Sequence, residues 1–438
     1  MSGWDVNVAD QGTAEAQGTV PSRVAQFWRQ RDFWYAELAA LGVRVLFLAA
    51  TARLTKSVDV YSWVRVGKAL QEGANPYAVT TFLNWPPLWM QIIYLLQKTS
   101  AVTGLSFVIC LLCFLIIVDL ALIVALYVLL QTLMPDRSPG RVVLWAISLN
   151  PVCILLTCQH GNFDGLVALG VVLFLIAVVS YQKSHDPTDW LLASLLLGVA
   201  ILIKTTPVVL APLLLLGITR LRARTVLLGV ALTVGPVLLG MSIIYVLAPA
   251  GVRENVLAYR SIPGYFGITG LLGLMHLPGL SSLYARAFPF LVIGSMLGLG
   301  FWIRRLAEKP GPFVALIAAC AMLTIPLFGP GYGPQYLFWS IPLLAAVYYV
   351  TDDTAMRRLL LVAYEIAAMT YIIEYGFFPS HGALALQEWP GPMTLVLYAD
   401  NISTAGGETL VRLPLFLALL VVFAKSAREA KRVGSSTP

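Results

Sequence analysis

Apolar residues fill twelve segments of the chain, and short polar intervals separate them. A helix that crosses a bilayer needs about 20 predominantly apolar residues, and several of these segments reach that length only with their flanks. The pattern predicts an all-α polytopic membrane protein with about 12 transmembrane helices. It leaves open whether residues 191–218, around Lys204-Thr-Thr-Pro207, form two spans or one broken helix. The segments are Glu37–Arg53, Leu105–Leu133, Val142–Cys158, Leu166–Tyr181, Leu191–Ile203, Pro207–Ile218, Val226–Leu247, Phe288–Ile303, Phe313–Phe328, Tyr336–Val350, Leu359–Tyr375 and Val411–Ala424.

Positive charge predicts the orientation of these segments. If they alternate across the membrane from a cytoplasmic N-terminus, every cytoplasmic loop carries Lys or Arg, as the positive-inside rule requires. We therefore expect a cytoplasmic tail over residues 1–36 without a cleavable signal peptide, a membrane domain over 37–425 and a basic cytoplasmic tail over 426–438. The cytoplasmic set holds eighteen of the 29 Lys and Arg: Arg23, Arg29, Arg31, Arg137, Arg141, Lys183, Arg220, Arg222, Arg224, Arg304, Arg305, Lys309, Arg357, Arg358, Lys425, Arg428, Lys431 and Arg432.

The composition agrees with a membrane protein. Hydrophobic residues make up 58% of the chain and charged residues 12%, and the mean hydropathy is +0.80. These values exclude a soluble enzyme, a disordered protein and a nucleic-acid binder. The net charge of +7 is explained by basic cytoplasmic loops. The five cysteines lie in or beside apolar runs, without the spacing of a zinc site or a disulfide framework.

Three long loops are expected on the external face, over residues 54–104, 248–287 and 376–410, whereas the cytoplasmic loops are short. Long loops with aromatics, Pro, Gly and carboxylates on one face predict a site built at that face. The two halves of the chain show no tandem repeat, which argues against an inverted-repeat transporter.

The first external loop holds the richest pattern. Tyr61, Val64, Ala69 and Leu70 have helical spacing, which predicts an amphipathic helix on the membrane surface that ends at Gly73. A second interfacial helix is expected over residues 89–98. Asp59 comes just before the first of these helices. Its carboxylate would serve either as a general base made more basic by partial shielding, or only as an acid that offsets the helix dipole.

Several motifs of the chain, taken in order, resemble one family. The first loop reads Asp59-Val-Tyr-Ser-Trp63, then Gly73-Ala-Asn-Pro-Tyr77, then Trp85-Pro-Pro-Leu88. This order resembles the integral-membrane glycosyltransferases of the GT-C superfamily, and most closely the polyprenol-phosphate-mannose-dependent mannosyltransferases of the phosphatidylinositol mannoside and GPI-anchor types. Later elements are similar to the same family: Asn150-Pro151 with Gln159-His-Gly-Asn-Phe-Asp-Gly165, Gly198 with Lys204-Thr-Thr-Pro207, and Gly329-Pro-Gly-Tyr-Gly-Pro-Gln335 with Trp339-Ser-Ile-Pro342.

The resemblance implies a GT-C fold, a sugar donor on a polyprenyl phosphate and transfer, with inversion, to a lipid-linked or glycan acceptor. Asp59 is then the catalytic base. Mannose as the donor sugar and a bacterial plasma membrane as the location rest on the resemblance alone. The residues expected to bind the donor phosphate are Lys204, Arg260 and His160. The residues expected to bind the sugar or the acceptor are Tyr61, Asp164, Tyr332, Gln335 and Tyr336.

Most of these side chains also have a simpler explanation. Lys204 would snorkel to the interface, and Tyr336 would belong to an interfacial aromatic belt. His160 and Asp164 would cap two helices in a polar turn. If Asp164 is functional instead, it is also a rival to Asp59 as the base. The first loop lacks an Asp-x-Asp pair, so we expect transfer without a metal or other cofactor. Arg44 and Asp119 fall near the middle of the first two spans and are expected to pair as structure.

Two other classes of protein remain open. A transporter or flippase of lipid-linked sugars would share the composition, and a GT-C arabinosyltransferase or polymer ligase would differ only in its donor. The expected partners are the donor, a glycolipid or glycan acceptor and membrane lipids, and not nucleic acid.

Overall fold

A computed structural model of the chain describes residues 30–51, 57–80, 83–257, 259, 267–304, 311–331, 333–376 and 405–435. Within these ranges the secondary structure is helical and contains no strand. The structure therefore confirms the all-α class. The α-helices are α1 (Arg31–Thr51), α2 (Val58–Gln71), α3 (Pro87–Thr103), α4 (Phe107–Leu133), α5 (Gly140–Val143), α6 (Pro151–Leu155), α7 (Asp164–Ser184), α8 (Pro187–Ile203), α9 (Ala223–Leu247), α10 (Pro249–Gly251), α11 (Gly267–Leu274), α12 (Pro278–Arg304), α13 (Gly311–Phe328), α14 (Leu337–Val350), α15 (Thr354–Gly376) and α16 (Ala405–Ser435).

Shorter π- and 3₁₀-helical turns extend or connect the α-helices. Helices α5, α6 and α10 each continue into a π-helical turn, and the 3₁₀ turns lie in the connections. The π turns are Leu144–Ser148, Leu156–His160 and Val252–Leu257. The 3₁₀ turns are Pro76–Ala78, Thr206–Leu215, Ile218–Arg220 and Pro334–Tyr336.

Six of the described helices, α1, α4, α7, α9, α12 and α13, are long and apolar enough to cross a membrane. A seventh candidate is the pair Gly140–Ser148 and Pro151–His160, which is bent by 45° at its break. Three other predicted segments form shorter apolar helices, Pro187–Ile203, Thr206–Leu215 and Leu337–Val350, so the number of twelve spans remains a prediction. Within residues 191–218, α8 ends at Ile203, Lys204 is extended and a 3₁₀-helix follows. This break is common to both alternatives, two spans or one broken helix.

Helix α2 is present where the sequence predicts it, and one face of it is buried in the bundle. Val60, Trp63 and Val66 are buried, whereas Tyr61 is 54% exposed and Val64 is exposed too. Val60, Trp63 and Val66 follow an i, i+3 spacing that places them on one face of the helix, and Ala69 of the predicted stripe is buried as well. Gly73, with a φ of +69°, follows the helix as expected. Helix α3 extends beyond the predicted 89–98 in both directions.

An aromatic cluster joins α2 and α3 to the start of α7. The ring of Trp89 stacks on Phe163 at 4.3 Å and meets Trp63 edge-on at 5.0 Å, and Trp85 contacts both Trp63 and Phe163. Trp63, Trp89 and Phe163 are fully buried. Buried aromatic pairs contribute about 0.5–1.5 kcal/mol beyond the area they bury. This cluster fixes the N-terminal turn of α2 beside the N-terminus of α7.

The predicted pairing of Arg44 with Asp119 is confirmed. The Nε atom of Arg44 lies 2.7 Å from Oδ2 of Asp119, and both side chains are buried. Arg44 also donates to the carbonyl oxygens of Ser148 and Ile147, and the hydroxyl of Thr157 donates to Asp119. The ion pair therefore holds α1 and α4 against the two parts of the bent helix pair and satisfies carbonyls that the bend leaves without helical partners.

The bundle has two chemically distinct ends. Basic side chains form ion pairs at one end, where Arg137 contacts Asp352 at 2.8 Å and Lys425 contacts Asp353 at 2.9 Å. Because α7 and α14 run from one end to the other, Asp164 and Leu337 at their N-termini lie at the opposite end. The candidate site is built at that second end.

Candidate active site

Asp59 is held by two side chains that follow α6. Its Oδ2 atom lies 3.2 Å from Nε2 of His160 and accepts a hydrogen bond from Nδ2 of Asn162 at 2.9 Å. Neither contact involves Oδ1, and the Asp59 side chain is 18% exposed. One carboxylate oxygen is thus anchored, and Oδ1 takes part in neither of these two bonds.

Local backbone geometry brings these residues together. The π turn Leu156–His160 ends at Gly161, whose φ of +69° is a conformation that glycine adopts at little cost. The hydroxyl of Ser57, just before α2, donates to the carbonyl oxygen of His160 at 2.7 Å. The amide oxygen of Asn162 accepts from the backbone N–H of Asp164 at 3.0 Å. Asn162 thus links Asp59 to the first residue of α7.

The surroundings of Asp59 favour its ionised form. Burial by itself raises the pKa of this carboxyl group. The hydrogen bond from His160, the charge of Lys204 and the hydrogen bond from Asn162 together outweigh burial and hold the pKa of Asp59 below its ordinary value. The expectation that shielding makes Asp59 more basic is therefore wrong, because shielding comes together with donors and a cation.

Lys204 lies beside this pair in an aromatic enclosure. Its Nζ atom contacts Oδ1 of Asp164 at 2.7 Å, and the Asp164 side chain is fully buried. The same nitrogen lies 4.2 Å from the ring centroid of Tyr336, 4.5 Å from that of Trp339 and 5.3 Å from that of Phe163. Cation–π contacts and an ion pair together stabilise this buried ammonium.

The turn before α14 contributes the aromatic wall. Tyr336 stacks on Trp339 with ring centroids 4.2 Å apart. Burial raises the pKa of Tyr336 well above its ordinary value, and interactions with Tyr259, including a hydrogen bond, raise it further. This phenol is therefore a neutral hydrogen-bonding group at neutral pH. Gln335 precedes it in the same turn and is half-buried.

Five of the residues predicted for the site converge: Asp59, His160, Asp164, Lys204 and Tyr336. Gln335 adjoins them in the chain. The exposed Tyr61 lies two positions from Asp59, about 200° away around the axis of α2. Arg260 and Tyr332 lie outside the described residues.

The sequence reasoning gave no role to three residues of the site. Asn162 stands inside the motif Gln159–Gly165, which the resemblance had singled out without giving this residue a role. Phe163 stands in the same motif but reads as an apolar core residue. Tyr371, whose hydroxyl lies 3.1 Å from Nδ1 of His160, falls in a segment with only the signal of a membrane span.

No cluster of three or more His, Cys, Asp or Glu that could hold a metal ion occurs in the part of the chain that the structure describes. The carboxylates of Asp59 and Asp164 are each engaged by a nitrogen donor. Transfer without a metal ion remains an expectation.

An apolar groove of about 540 Å³ runs along α12, and α13, α16 and the turn Thr206–Leu215 complete its walls. Its lining extends from Tyr284 to Trp302, which is roughly 27 Å along a helix at 1.5 Å per residue. The hydroxyl of Tyr284 donates to the carbonyl oxygen of Phe328 at 2.5 Å. Phe328 is the last residue of α13, so the groove begins at the segment that leads to Tyr336.

The comparison with known families gives one match. The family model for glycosyltransferase family 87 matches residues 82–330, more than half of the chain. The chain belongs to glycosyltransferase family 87. No curated protein matches it. The matched part includes His160, Asn162, Asp164 and Lys204, whereas Asp59, Tyr336 and Tyr371 lie outside it. Family 87 membership makes the protein a membrane glycosyltransferase, and its convergent polar cluster is the candidate active site.

Proposed function

We propose that this family 87 enzyme transfers a sugar, mannose by the resemblance described above, from a polyprenyl phosphate to a hydroxyl of a lipid-linked or glycan acceptor. The observation that carries the proposal is the carboxylate of Asp59, a partly exposed side chain that His160 and Asn162 fix through one oxygen, Oδ2. A hydroxyl nucleophile requires a positioned base of this kind. The reaction takes place at the external face of the membrane if the basic end is cytoplasmic.

The proposed reaction is a single displacement that inverts the anomeric centre. The acceptor oxygen bonds to the anomeric carbon, the bond from that carbon to the phosphate oxygen breaks, and Oδ1 of Asp59 takes the hydroxyl proton. The low pKa of Asp59 suits this order of events, because the hydroxyl becomes strongly acidic only as its oxygen bonds to carbon. A strong base is not needed, but a carboxylate that stays ionised is.

The leaving phosphate needs cationic partners. Lys204 is the first candidate. Asp164 already offsets its charge, and an aromatic ring lies against the same ammonium. Lys204 would therefore contact the phosphate through an N–H that now faces this ring. Arg260 is the second candidate, because its neighbour Tyr259 hydrogen-bonds with Tyr336 at the site. Both ring nitrogens of His160 have partners, which favours a role in holding Asp59 over the predicted phosphate contact.

The sugar would lie against the wall formed by Tyr336, with Gln335 beside it. Asp164 would act through Lys204 and not as a second base, because its side chain is fully buried and ion-paired with the ammonium, whereas that of Asp59 is 18% exposed. Tyr61 and Tyr332 stay candidates for acceptor contacts.

The apolar groove along α12 supports a lipid-linked donor. Its length of roughly 27 Å is close to the thickness of the hydrocarbon core, about 30 Å. A lateral apolar gap in a bilayer would be filled by a hydrocarbon chain, and this gap begins at the segment that leads into the site. We therefore propose that the polyprenyl tail lies in the groove while its phosphate faces Lys204.

The experiment is a transfer assay with purified enzyme and polyprenyl-phosphate mannose, with the arabinose-bearing donor as a parallel arm. Asp59→Asn should lower the rate by about 10²–10⁴-fold, as expected for loss of a general base. Glu72→Gln, which removes an exposed carboxylate next to the C-terminus of α2, should leave the rate unchanged. EDTA should have no effect on the wild-type rate. Near-normal transfer by Asp59→Asn would contradict the proposed base, and activity with only the arabinose donor would change the substrate.

A further inference from the structure

Asp59, His160 and Tyr371 form a continuous hydrogen-bonded chain from the partly exposed carboxylate of Asp59 into the bundle. Oδ2 of Asp59 lies 3.2 Å from Nε2 of His160, and Nδ1 of the same ring lies 3.1 Å from the hydroxyl of Tyr371. His160 is 4% exposed and Tyr371 is fully buried. The histidine therefore cannot turn without breaking contacts that water cannot replace.

The partners of His160 determine which nitrogen of the neutral ring carries the proton. An ionised carboxylate only accepts hydrogen bonds, so Nε2 must carry the proton that faces Asp59. Nδ1 is then an acceptor, and the hydroxyl of Tyr371 is the donor that satisfies it. The opposite tautomer would point the lone pair of Nε2 at the carboxylate oxygen. A hydroxyl at position 371 thus favours the one tautomer that supports Asp59.

We propose that Tyr371 is a positioning residue for catalysis, which holds His160 in the tautomer that donates to Oδ2 of Asp59 and thereby keeps Oδ1 as the proton-accepting oxygen. This inference rests on the proposed role of Asp59 as the base. It assigns a function to α15, which has no other contact with the site among the bonds described above.

The surrounding charges give the direction of the expected effect. Asp59 interacts with His160, Asn162 and Lys204, all of which favour its ionised form. Asp164 forms an ion pair with Lys204 and also interacts electrostatically with His160 and Tyr371, and the ring of Tyr336 contacts Lys204. If the donation from His160 weakens, the pKa of Asp59 rises toward its ordinary value. Activity is then lost at a higher pH as the medium is acidified, because the carboxylate is protonated earlier.

The test is the pH profile of kcat/KM for Tyr371→Phe, which keeps the ring and removes the hydroxyl. We expect the acid limb to move up by about one pH unit, which is a tenfold loss of kcat/KM at pH values below that limb, with the donor KM unchanged at neutral pH. Tyr364→Phe is the matched control. It lies on the same helix, its hydroxyl donates to the carbonyl oxygen of Trp145, and its profile should equal that of the wild type.

A double-mutant cycle separates positioning from general support of the fold. His160→Gln should shift the profile at least as far as Tyr371→Phe, and the double variant should be no worse than His160→Gln alone, because Tyr371 acts only through the histidine. If Tyr371→Phe does not fold, 3-fluorotyrosine at position 371 provides a second variant. It is a stronger donor of nearly the same size, so it should move the acid limb in the opposite direction.

Three outcomes would overturn the inference: an unchanged profile for Tyr371→Phe, additive losses in the double variant, or an unshifted profile with 3-fluorotyrosine. These outcomes are distinguishable from failure of the proposed function. If Asp59→Asn retains transfer, the base itself is wrong, whereas an inactive Asp59→Asn beside a normal Tyr371→Phe removes only the role of Tyr371.

Discussion

The guanidinium of Arg44 lies 2.7 Å from the carboxylate of Asp119, and neither side chain is exposed by more than 1%. The two residues are 75 positions apart in the chain and join α1 to α4. Arg44 binds two further carbonyl oxygens at the bend between α5 and α6. The pair is therefore a structural link between the first two long helices and the bent pair that positions His160.

Removing one partner of this pair should destabilise the protein more than removing both. Arg44→Met leaves a buried carboxylate without its cation, which costs about 3–5 kcal/mol. Arg44→Met combined with Asp119→Leu leaves no buried charge, so we expect a smaller loss despite the unpaired carbonyls. Thermal unfolding in detergent would measure both. A double variant less stable than Arg44→Met would show that the carbonyl contacts, and not the charge pair, dominate.

Lys204 would either contact the donor phosphate or only support the fold, and variants of its partner Asp164 can separate these two roles. Lys204→Met should lower stability, because Asp164 would be buried unpaired, and Asp164→Asn in the same chain should restore it. If Lys204 contacts the donor phosphate, the double variant should keep a donor KM raised by about 10–100-fold, which corresponds to a charged hydrogen bond of about 1.5–3 kcal/mol. A donor KM that returns to the wild-type value would assign Lys204 to support alone. The measurement is steady-state transfer with varied donor.

The sequence predicted the helical class, the buried ion pair and the chemistry near Asp59, because apolar runs and rare charges in a membrane carry strong physical signals. It did not predict the buried face of α2, since Tyr61 and Val64 fit helical spacing as well as Val60 and Trp63 do. Tyr371 could not be found, because a tyrosine in an apolar segment looks the same whether its hydroxyl meets lipid headgroups or a histidine. The lowered pKa of Asp59 likewise depends on residues about 100 positions away.

Gly161 should be intolerant of a side chain. Its φ is +69°, and a Cβ atom there would lie 2.8 Å from Cγ2 of Val60, next to Asp59. Gly161→Ala adds about 1–2 kcal/mol of backbone strain and pushes α2 from the turn, so both the melting temperature and kcat should fall. Gly73 is the matched control, since it has the same φ but nothing within 4 Å of a Cβ. Gly73→Ala should lose stability only, and equal kcat losses would contradict the contact with Val60.

The groove along α12 predicts a dependence on donor chain length. Met296 lines the groove, whereas its neighbour Leu297 is 70% exposed on the outside of the same helix. Met296→Trp should raise the KM for long polyprenyl donors and leave short-chain donors unaffected, because the indole fills space needed only by the tail. Leu297→Trp should change neither. A Met296→Trp variant with equal KM changes for both donor lengths would argue against tail binding there.

The hydrogen-bonded chain from Asp59 through His160 to Tyr371 also has a consequence for biosynthesis. Its members are separated by 101 and then 211 positions, so they are inserted into the membrane at widely different times. A nascent chain that has completed only the first loop carries the carboxylate but none of the groups that orient it. The enzyme therefore gains its reactive geometry late in synthesis, when most of its helices already surround the site.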